Sequence, residues 1–534
     1  LREVKAVVVA AAECYRLLNM YFIASLTQFE TPSANVLMVF LSVLAVQLRR
    51  FSASGQFVVE YMTDAHIRST VVDNMVICTR DFATRSVVHV RNRQRLHELS
   101  VADGETSNEC EGLLKWEDNN QTMVCIADDS LVLLYKWLDK VDQKLVTWYN
   151  IQMSCAEDML SDYYAMSSEM LRKCLSNFCG LIKKYEGFPD YVLTPDNFLK
   201  CVMILLRVQA RVPVIVMGEA GCGKTSLVRF LGKMCNASTH VLSIHAGVDR
   251  IMITKKIGTW IKEHCAQMLA LRKSQPLWIF LDEINTCNEL GFINSIICHR
   301  VLPGIRIPKC VSFFAACNPF KRRVGEVKRV VGLSPNTIGN GATKGDGLVY
   351  RVKPLPETMM DYIWDFGSLS PKDEKLYIAK FISQLADSHP TDREMQETIL
   401  LLVELIAMSQ CFMRDNFSAG TVSMRDVRRA KLLFEWFYMH KLPSNDRIFL
   451  FGGIKKVYSC IILALALCYR CRLPTDGLRA MYDAATCQCF QAAGVNSLSD
   501  DLIRKVISDE QRGYLKEMTV PEGIALNDSL VENV

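Results

Sequence analysis

Eight consecutive residues, Gly218-Glu219-Ala220-Gly221-Cys222-Gly223-Lys224-Thr225, fit the pattern G-x-x-x-x-G-K-[ST] in full. Glycines at this spacing let backbone N–H groups turn inward around phosphates, and the helix that follows offers its positive end to the same charge. Lys224 would reach the β- and γ-phosphates of ATP, the Thr225 hydroxyl would hold Mg²⁺, and Ser226 completes the nucleotide-binding set. The slot of Cys222 contributes mainly backbone. A second motif, Trp278-Ile279-Phe280-Leu281-Asp282-Glu283, is an apolar run ending in adjacent acids, with Asp282 58 residues beyond Lys224. Asp282 suits the metal's shell, and Glu283 suits polarisation of an attacking water. A third, Phe313-Phe314-Ala315-Ala316-Cys317-Asn318-Pro319, puts Asn318 where it could position water near the γ-phosphate, or simply cap a turn before proline. Arg425, in Ser423-Met424-Arg425-Asp426-Val427, opens a helix and could swing onto the γ-phosphate, or be a surface arginine. Arg351, in Leu348-Val349-Tyr350-Arg351-Val352, could reach a neighbouring nucleotide site as an arginine finger, or be a solvated charge.

These residues need a scaffold, and the flanking pattern predicts one. Apolar β-branched runs at 212–217, 241–245, 277–281 and 311–317 read as strands, with helical segments such as 225–234 between them. That alternation predicts a parallel sheet covered on both faces. Beyond Pro354 the strands are expected to stop, and helices are expected at 359–366, 373–386, 394–413 and 422–440. Thr194-Pro195-Asp196-Asn197 carries a helix start: an N-cap hydroxyl, a first-turn proline and an early acid. Upstream, helix-like runs break at Thr31-Pro32-Ser33. Residues 71–79 and 86–90 then look strand-like, 103–121 loop-like, and 131–185 mostly helical.

Composition narrows the class. Of 534 residues, 50% are hydrophobic and 22% charged, which is globular composition and argues against long disorder. A net charge of +5 with both signs mixed marks no dedicated nucleic-acid binder. The longest apolar runs, 36–46 and 457–469, fall short of the roughly 20 residues that span a bilayer. Twenty-one cysteines scattered singly read as reduced thiols of a cytosolic or nuclear protein. An opening on Leu1 suggests a piece of a longer polypeptide. So does a weak repeat, Leu1-Arg2-Glu3-Val4-Lys5 against Met424-Arg425-Asp426-Val427-Arg428.

Taken together, the motifs resemble the AAA+ ATPases of the dynein-like branch, in which tandem modules share one chain. Asn318 matches that family's sensor-1 position and Arg425 its sensor-2 position. Residues 214–225, 314–319 and 348–352, with Trp364-Asp365-Phe366-Gly367 and Glu374-Lys375-Leu376-Tyr377-Ile378, further resemble the third module of the mysterin-type giant E3 ubiquitin ligases. The resemblance implies an α/β AAA+ P-loop NTPase large domain over 191–355, followed by a helical lid over 356–440. Around these it implies the helical end of a preceding module (1–55), an inter-module linker (56–190) and a helical run-out toward a next module (441–534). It implies ATP and Mg²⁺ as ligands, neighbouring AAA+ modules and the ubiquitin machinery as partners, and a cytosolic protein associated with lipid droplets. A motor or remodelling module of the dynein or midasin kind would share every catalytic part, and so would a nucleotide-locked structural module.

Other signals have plainer readings. Cys468, Cys471, Cys487 and Cys489 stand at roughly zinc-like spacing, but the second pair is one residue short of the usual gap, and buried structural thiols are the better reading. Lys321-Arg322-Arg323 with Lys328-Arg329 could touch nucleic acid or an acidic partner, but solvated loop charge or contact with a neighbouring module is the better reading. His245 could face a central pore or be a core histidine.

Overall fold

The computed structural model describes residues 34–53, 65–84, 116, 120–127, 130–153, 162–179, 191–219, 221–271, 275–319, 352–367, 369–388, 392–417, 421–440 and 455–517. The expectations for 1–33 (including the repeat), 86–90 and 103–115 lie outside these residues. So do Ala220, Arg351 and the basic run at 321–329. The described residues divide into two compact units, which part within the glycine loop, whose tip at 220–222 groups with the second unit, and again between 368 and 369.

In the first unit, helices Ala34–Ala53 and Ala65–Thr84 pack with a hairpin of Met123–Ala127 (β1) and Ser130–Leu134 (β2). Residues 71–79, expected as a strand, are helical instead. Burial of Met75, Val76, Thr79, Phe82 and Ala83 follows the three-to-four spacing of a helix face, and that periodicity outweighs the β-branched content. The expected helix over 131–185 begins later than predicted. Residues 131–134 belong to β2, whose register sets Ala127 opposite Ser130 with only two residues between. All of β1 is buried, so these short apolar runs show no alternation from which to read a strand. The tyrosine hydroxyls of Tyr149 and Tyr163 donate to Leu131 O (3.0 Å) and Leu133 O (3.1 Å), from the segments that carry helices Gln143–Met153 and Ser168–Cys179.

A buried charge cluster joins the hairpin to helix Pro195–Gln209. Thr194 caps that helix, its hydroxyl accepting from Asn197 N at 3.3 Å as the sequence predicts. Asp196 in the first turn accepts a hydrogen bond from Trp116 Nε1 and lies 2.7 Å from Lys200 Nζ and 3.8 Å from Lys136 Nζ. Lys200 is 1% exposed and sits over the Phe366 ring at 4.4 Å. Removing the carboxylate strands a buried ammonium. Asp196→Ala is therefore expected to cost about 3–5 kcal/mol of stability. Urea denaturation checks this; a midpoint equal to the parent's would show that the cluster is not holding the hairpin.

The main sheet consists of Val214–Met217 (β3), Ser238–Ser243 (β4), Leu277–Asp282 (β5), Val311–Cys317 (β6) and Ile363–Asp365 (β7). All are parallel, in the order β4-β5-β6-β3-β7. The first five residues of β5 are buried, the continuous apolar run of a strand covered on both faces. The expectation that strands stop at Pro354 is corrected by β7. Glu357–Met360 is one helical turn, and the rest of the helix expected over 359–366 is replaced by a strand paired with β3. Ile363 and Trp364 are buried there, and the backbone pairing of three residues leaves no periodicity to read in advance. Because β3 lies between β6 and β7 while the chain next runs to β4, the connections diverge at its carboxyl end, where open α/β sheets bind ligands.

The second unit is helical. Pro371–Ser388, Arg393–Asn416 and Met424–His440 match the three expected helices. Lys456–Cys468, Asp476–Ala492 and Asp500–Glu517 share their apolar core, with Leu405, Phe434, Ile461, Phe490 and Val506 all buried in it. Buried polar groups fix the packing: Gln410 Nε2 donates to the Tyr469 hydroxyl (2.9 Å), and Ser409 and Tyr482 share a hydrogen bond of 2.7 Å. Among the described residues one helix, Arg393–Asn416, is long and apolar enough to cross a membrane; its Leu402, Leu405 and Ile406 are buried in this core.

The four cysteines at zinc-like spacing do not converge, and no metal-binding cluster occurs among the described residues. The Sγ of Cys468, Cys471 and Cys487 each donates to a backbone carbonyl, of Asp426, Leu467 and Leu498 respectively. Burial, with the Asp426 carboxylate adding to it, pushes the Cys468 thiol up to about 12, away from the thiolate a metal would need.

Candidate nucleotide site

The glycine loop leaves β3 at the carboxyl edge of the sheet, where Gly218 N–H donates to Cys317 O (3.3 Å). Gly223 takes φ of +89°, with open space where a Cβ would stand, so its backbone conformation rather than crowding calls for glycine. Gly221, at the loop tip, takes φ of +80°. A Cβ on it would lie 2.5 Å from Ser423 Cβ, so both conformation and close approach exclude a side chain there. Helix Lys224–Met234 starts at the lysine, as the motif predicts. Lys224 is buried and folds back into the loop, its Nζ donating to Gly218 O (2.7 Å) and Glu219 O (2.8 Å). The Thr225 hydroxyl donates to Asp282 Oδ2 at 2.6 Å, joining the first turn of this helix to the end of β5. The two residues proposed for the metal are thus adjacent.

Glu283 follows β5 with φ 58° and ψ 40°, a left-handed conformation that costs a non-glycine residue about 1–3 kcal/mol. The turn Ile284–Thr286 offsets this strain. Thr286 donates to Glu283 O through both its backbone N–H (3.1 Å) and its hydroxyl (2.8 Å), and the hydroxyl lies 2.9 Å from Ile244 O past the end of β4. Asn318 follows β6, buried at 7% exposure. Its backbone is held from the turn after β5: Asn285 Nδ2 donates to Asn318 O (2.8 Å), and Asn318 N–H donates to Asn285 Oδ1 (3.2 Å). Asn285 has no place in the sequence reading. The signal for it is an asparagine two residues after the acid pair, at the first turn beyond the strand.

Arg425 lies in the second unit, exposed on the first turn of Met424–His440. That helix start is fixed by Asp426, whose Oδ2 accepts from Ser423 N–H at 2.8 Å and whose Oδ1 pairs with Arg472 at 3.2 Å. His245 is exposed beyond β4, its Nδ1 accepting from Gly247 N–H, so the core-histidine alternative does not hold.

In chemical terms, the described residues fit a magnesium nucleotide. A buried ammonium lies inside a glycine loop at a helix N-terminus, and the hydroxyl of the next residue touches a carboxylate. Glu283, the next residue after Asp282, supplies a second acid at this end of β5.

A family model described as the RNF213 AAA domain matches residues 191–321. The zebrafish (Danio rerio) E3 ubiquitin-protein ligase rnf213-beta is 32% identical over 66% of this chain and 7% of its own length. The mouse (Mus musculus) E3 ubiquitin-protein ligase RNF213 is 30% identical over 65% of this chain and 7% of its own. Human RNF213 is 26% identical over 94% of this chain and 10% of its own. The chain therefore spans a tenth or less of the length of these relatives. With the five-stranded parallel sheet and the glycine loop at its switch point, these matches show that the chain carries, over residues 191–321, an AAA domain of the RNF213 family.

Proposed function

We propose that this chain is an ATP-binding and ATP-hydrolysing module that regulates an attached E3 ubiquitin ligase. The observation that supports the reading is the Thr225–Asp282 contact of 2.6 Å, with the Lys224 ammonium held in the glycine loop one residue before Thr225. Lys224 would exchange its two loop carbonyls for phosphate oxygens, while loop N–H groups and the helix N-terminus take the remaining charge. Thr225 and Asp282 would hold Mg²⁺, which when bound neutralises charge on the phosphates and polarises them. Glu283 would accept a proton from the attacking water, and Asn318 would orient that water. Arg425 and, from a neighbouring module, an arginine such as Arg351 would complete the charge around the γ-phosphate. The ligase connection rests on the names of the relatives alone, and neighbouring AAA+ modules and the ubiquitin machinery are its expected partners.

The test is to incubate the chain with radiolabelled ATP, remove free nucleotide, and follow what stays bound. ATP retained and converted to ADP, with EDTA stripping it, is the expected result. No retention with Mg²⁺ present would refute the nucleotide reading, and ATP retained indefinitely would replace a cycling ATPase with a nucleotide-locked module.

A further inference from the structure

We infer that Asn285 is a positioning residue that fixes the sensor asparagine, Asn318, by gripping its backbone from the turn that carries Glu283. This rests on the ATPase reading above and adds a residue that neither the phosphate loop nor the acid pair supplies.

The grip is two-sided. The Asn285 amide gives its Nδ2 to Asn318 O at 2.8 Å and takes the Asn318 N–H on its Oδ1 at 3.2 Å, so one planar side chain meets a donor and an acceptor of the same residue. Both partners are buried, Asn285 at 2% exposure and Asn318 at 7%. Lost bonds there cannot be replaced cheaply by water. No ladder pair reaches Asn318 itself: on one side β6 pairs with β5 only as far as Ala315, and on the other with β3 as far as Cys317. Asn285 holds the first residue beyond that pairing, from the β5 side. Its own backbone is held as well, since Lys353 N–H donates to Asn285 O at 2.8 Å, and Thr286 ties the turn to the segment after β4. Glu283 and Asn318 leave different strands, and Asn285 fixes the second relative to the first. In an enzyme that works by positioning, a shift of about 1 Å in a water-orienting group costs on the order of a hundredfold in rate.

The test compares Asn285→Ala, Asn285→Asp and Asn318→Ala in the full chain with their double variants. Asn285→Asp keeps volume and the acceptor, removes the donor to Asn318 O and turns a carboxylate oxygen against that carbonyl. Retained ATP per chain is expected to match the parent in both Asn285 variants, while turnover falls about ten- to a hundredfold. In Asn285→Ala/Asn318→Ala, turnover is expected to equal that of Asn318→Ala alone, because one residue acts through the other. Independent, multiplying losses would overturn the proposal, as would turnover within twofold of the parent or loss of ATP retention in both Asn285 variants. A readout without nucleotide runs in parallel. Hydrogen exchange of the peptide covering 314–319 is expected to speed up in Asn285→Ala, and unchanged exchange there overturns the grip. If the parent itself retains ATP without converting it, the hydrolysis reading fails, and the exchange result still decides the role of Asn285.

Discussion

Replacement of Lys224 by alanine is expected to leave a folded chain that no longer retains ATP. The ammonium is the positive charge buried inside the glycine loop, and it touches Gly218 O and Glu219 O at 2.7 and 2.8 Å. A charged hydrogen bond to a phosphate contributes about 1.5–3 kcal/mol. Two such bonds would amount to about 3–6 kcal/mol, a factor of at least a hundred in affinity. Alanine is the best helix former, so Lys224–Met234 should start as before, and the freed loop carbonyls can turn to water. The comparison is retained radiolabel per folded chain, with circular dichroism confirming the fold. A folded Lys224→Ala chain that holds ATP as the parent does would place the nucleotide elsewhere.

Glu283→Gln is expected to have the opposite signature, with ATP retained and turnover lowered by about 10²–10⁴-fold. Glutamine keeps the shape and the left-handed backbone, which is held by bonds from Thr286 to the residue's own carbonyl rather than by its carboxylate. What it loses is the capacity to accept a proton. The contact between Thr225 and Asp282 is untouched, so the metal and phosphate contacts should survive. Single-turnover conversion of bound ATP reads the difference directly. Equal conversion by parent and variant would remove Glu283 from the proposed mechanism. Loss of binding would instead make it part of the metal shell.

The two substitutions separate binding from chemistry, because the lysine lies on the helix after β3 and the glutamate beyond the end of β5. Only the sheet order brings the two strand ends to one edge, with β6 between them.

Much of this was legible in the residues themselves. The phosphate loop, the acid pair and the helix cap at Thr194 are local patterns whose chemistry depends on neighbours a few positions away, and each lies in the structural context its spacing predicts. The strand over 311–317 agrees with the structure to the residue, because a continuous apolar run between turn residues has one reading in an alternating α/β pattern. Errors fell where a segment was short or its periods competed. Residues 71–79 had strand composition but a helical burial pattern, and β7 has three residues, too few for any period. Ser130–Leu134 became a strand because Met123–Ala127 was there to pair with it.

The amino-acid sequence by itself determined the fold class, the glycine loop and the acid pair after its strand, since these follow from residue types at fixed short spacings. Tertiary structure alone decided which distant groups meet. It placed Asp196 among Trp116, Lys136 and Lys200, set the helices of 456–517 in one apolar core with those of 371–440, and laid the Asn285 amide across the Asn318 backbone. The physical reason is the same in each case. A buried polar group must find its partner wherever the packing puts one, and no spacing along the chain records where that will be.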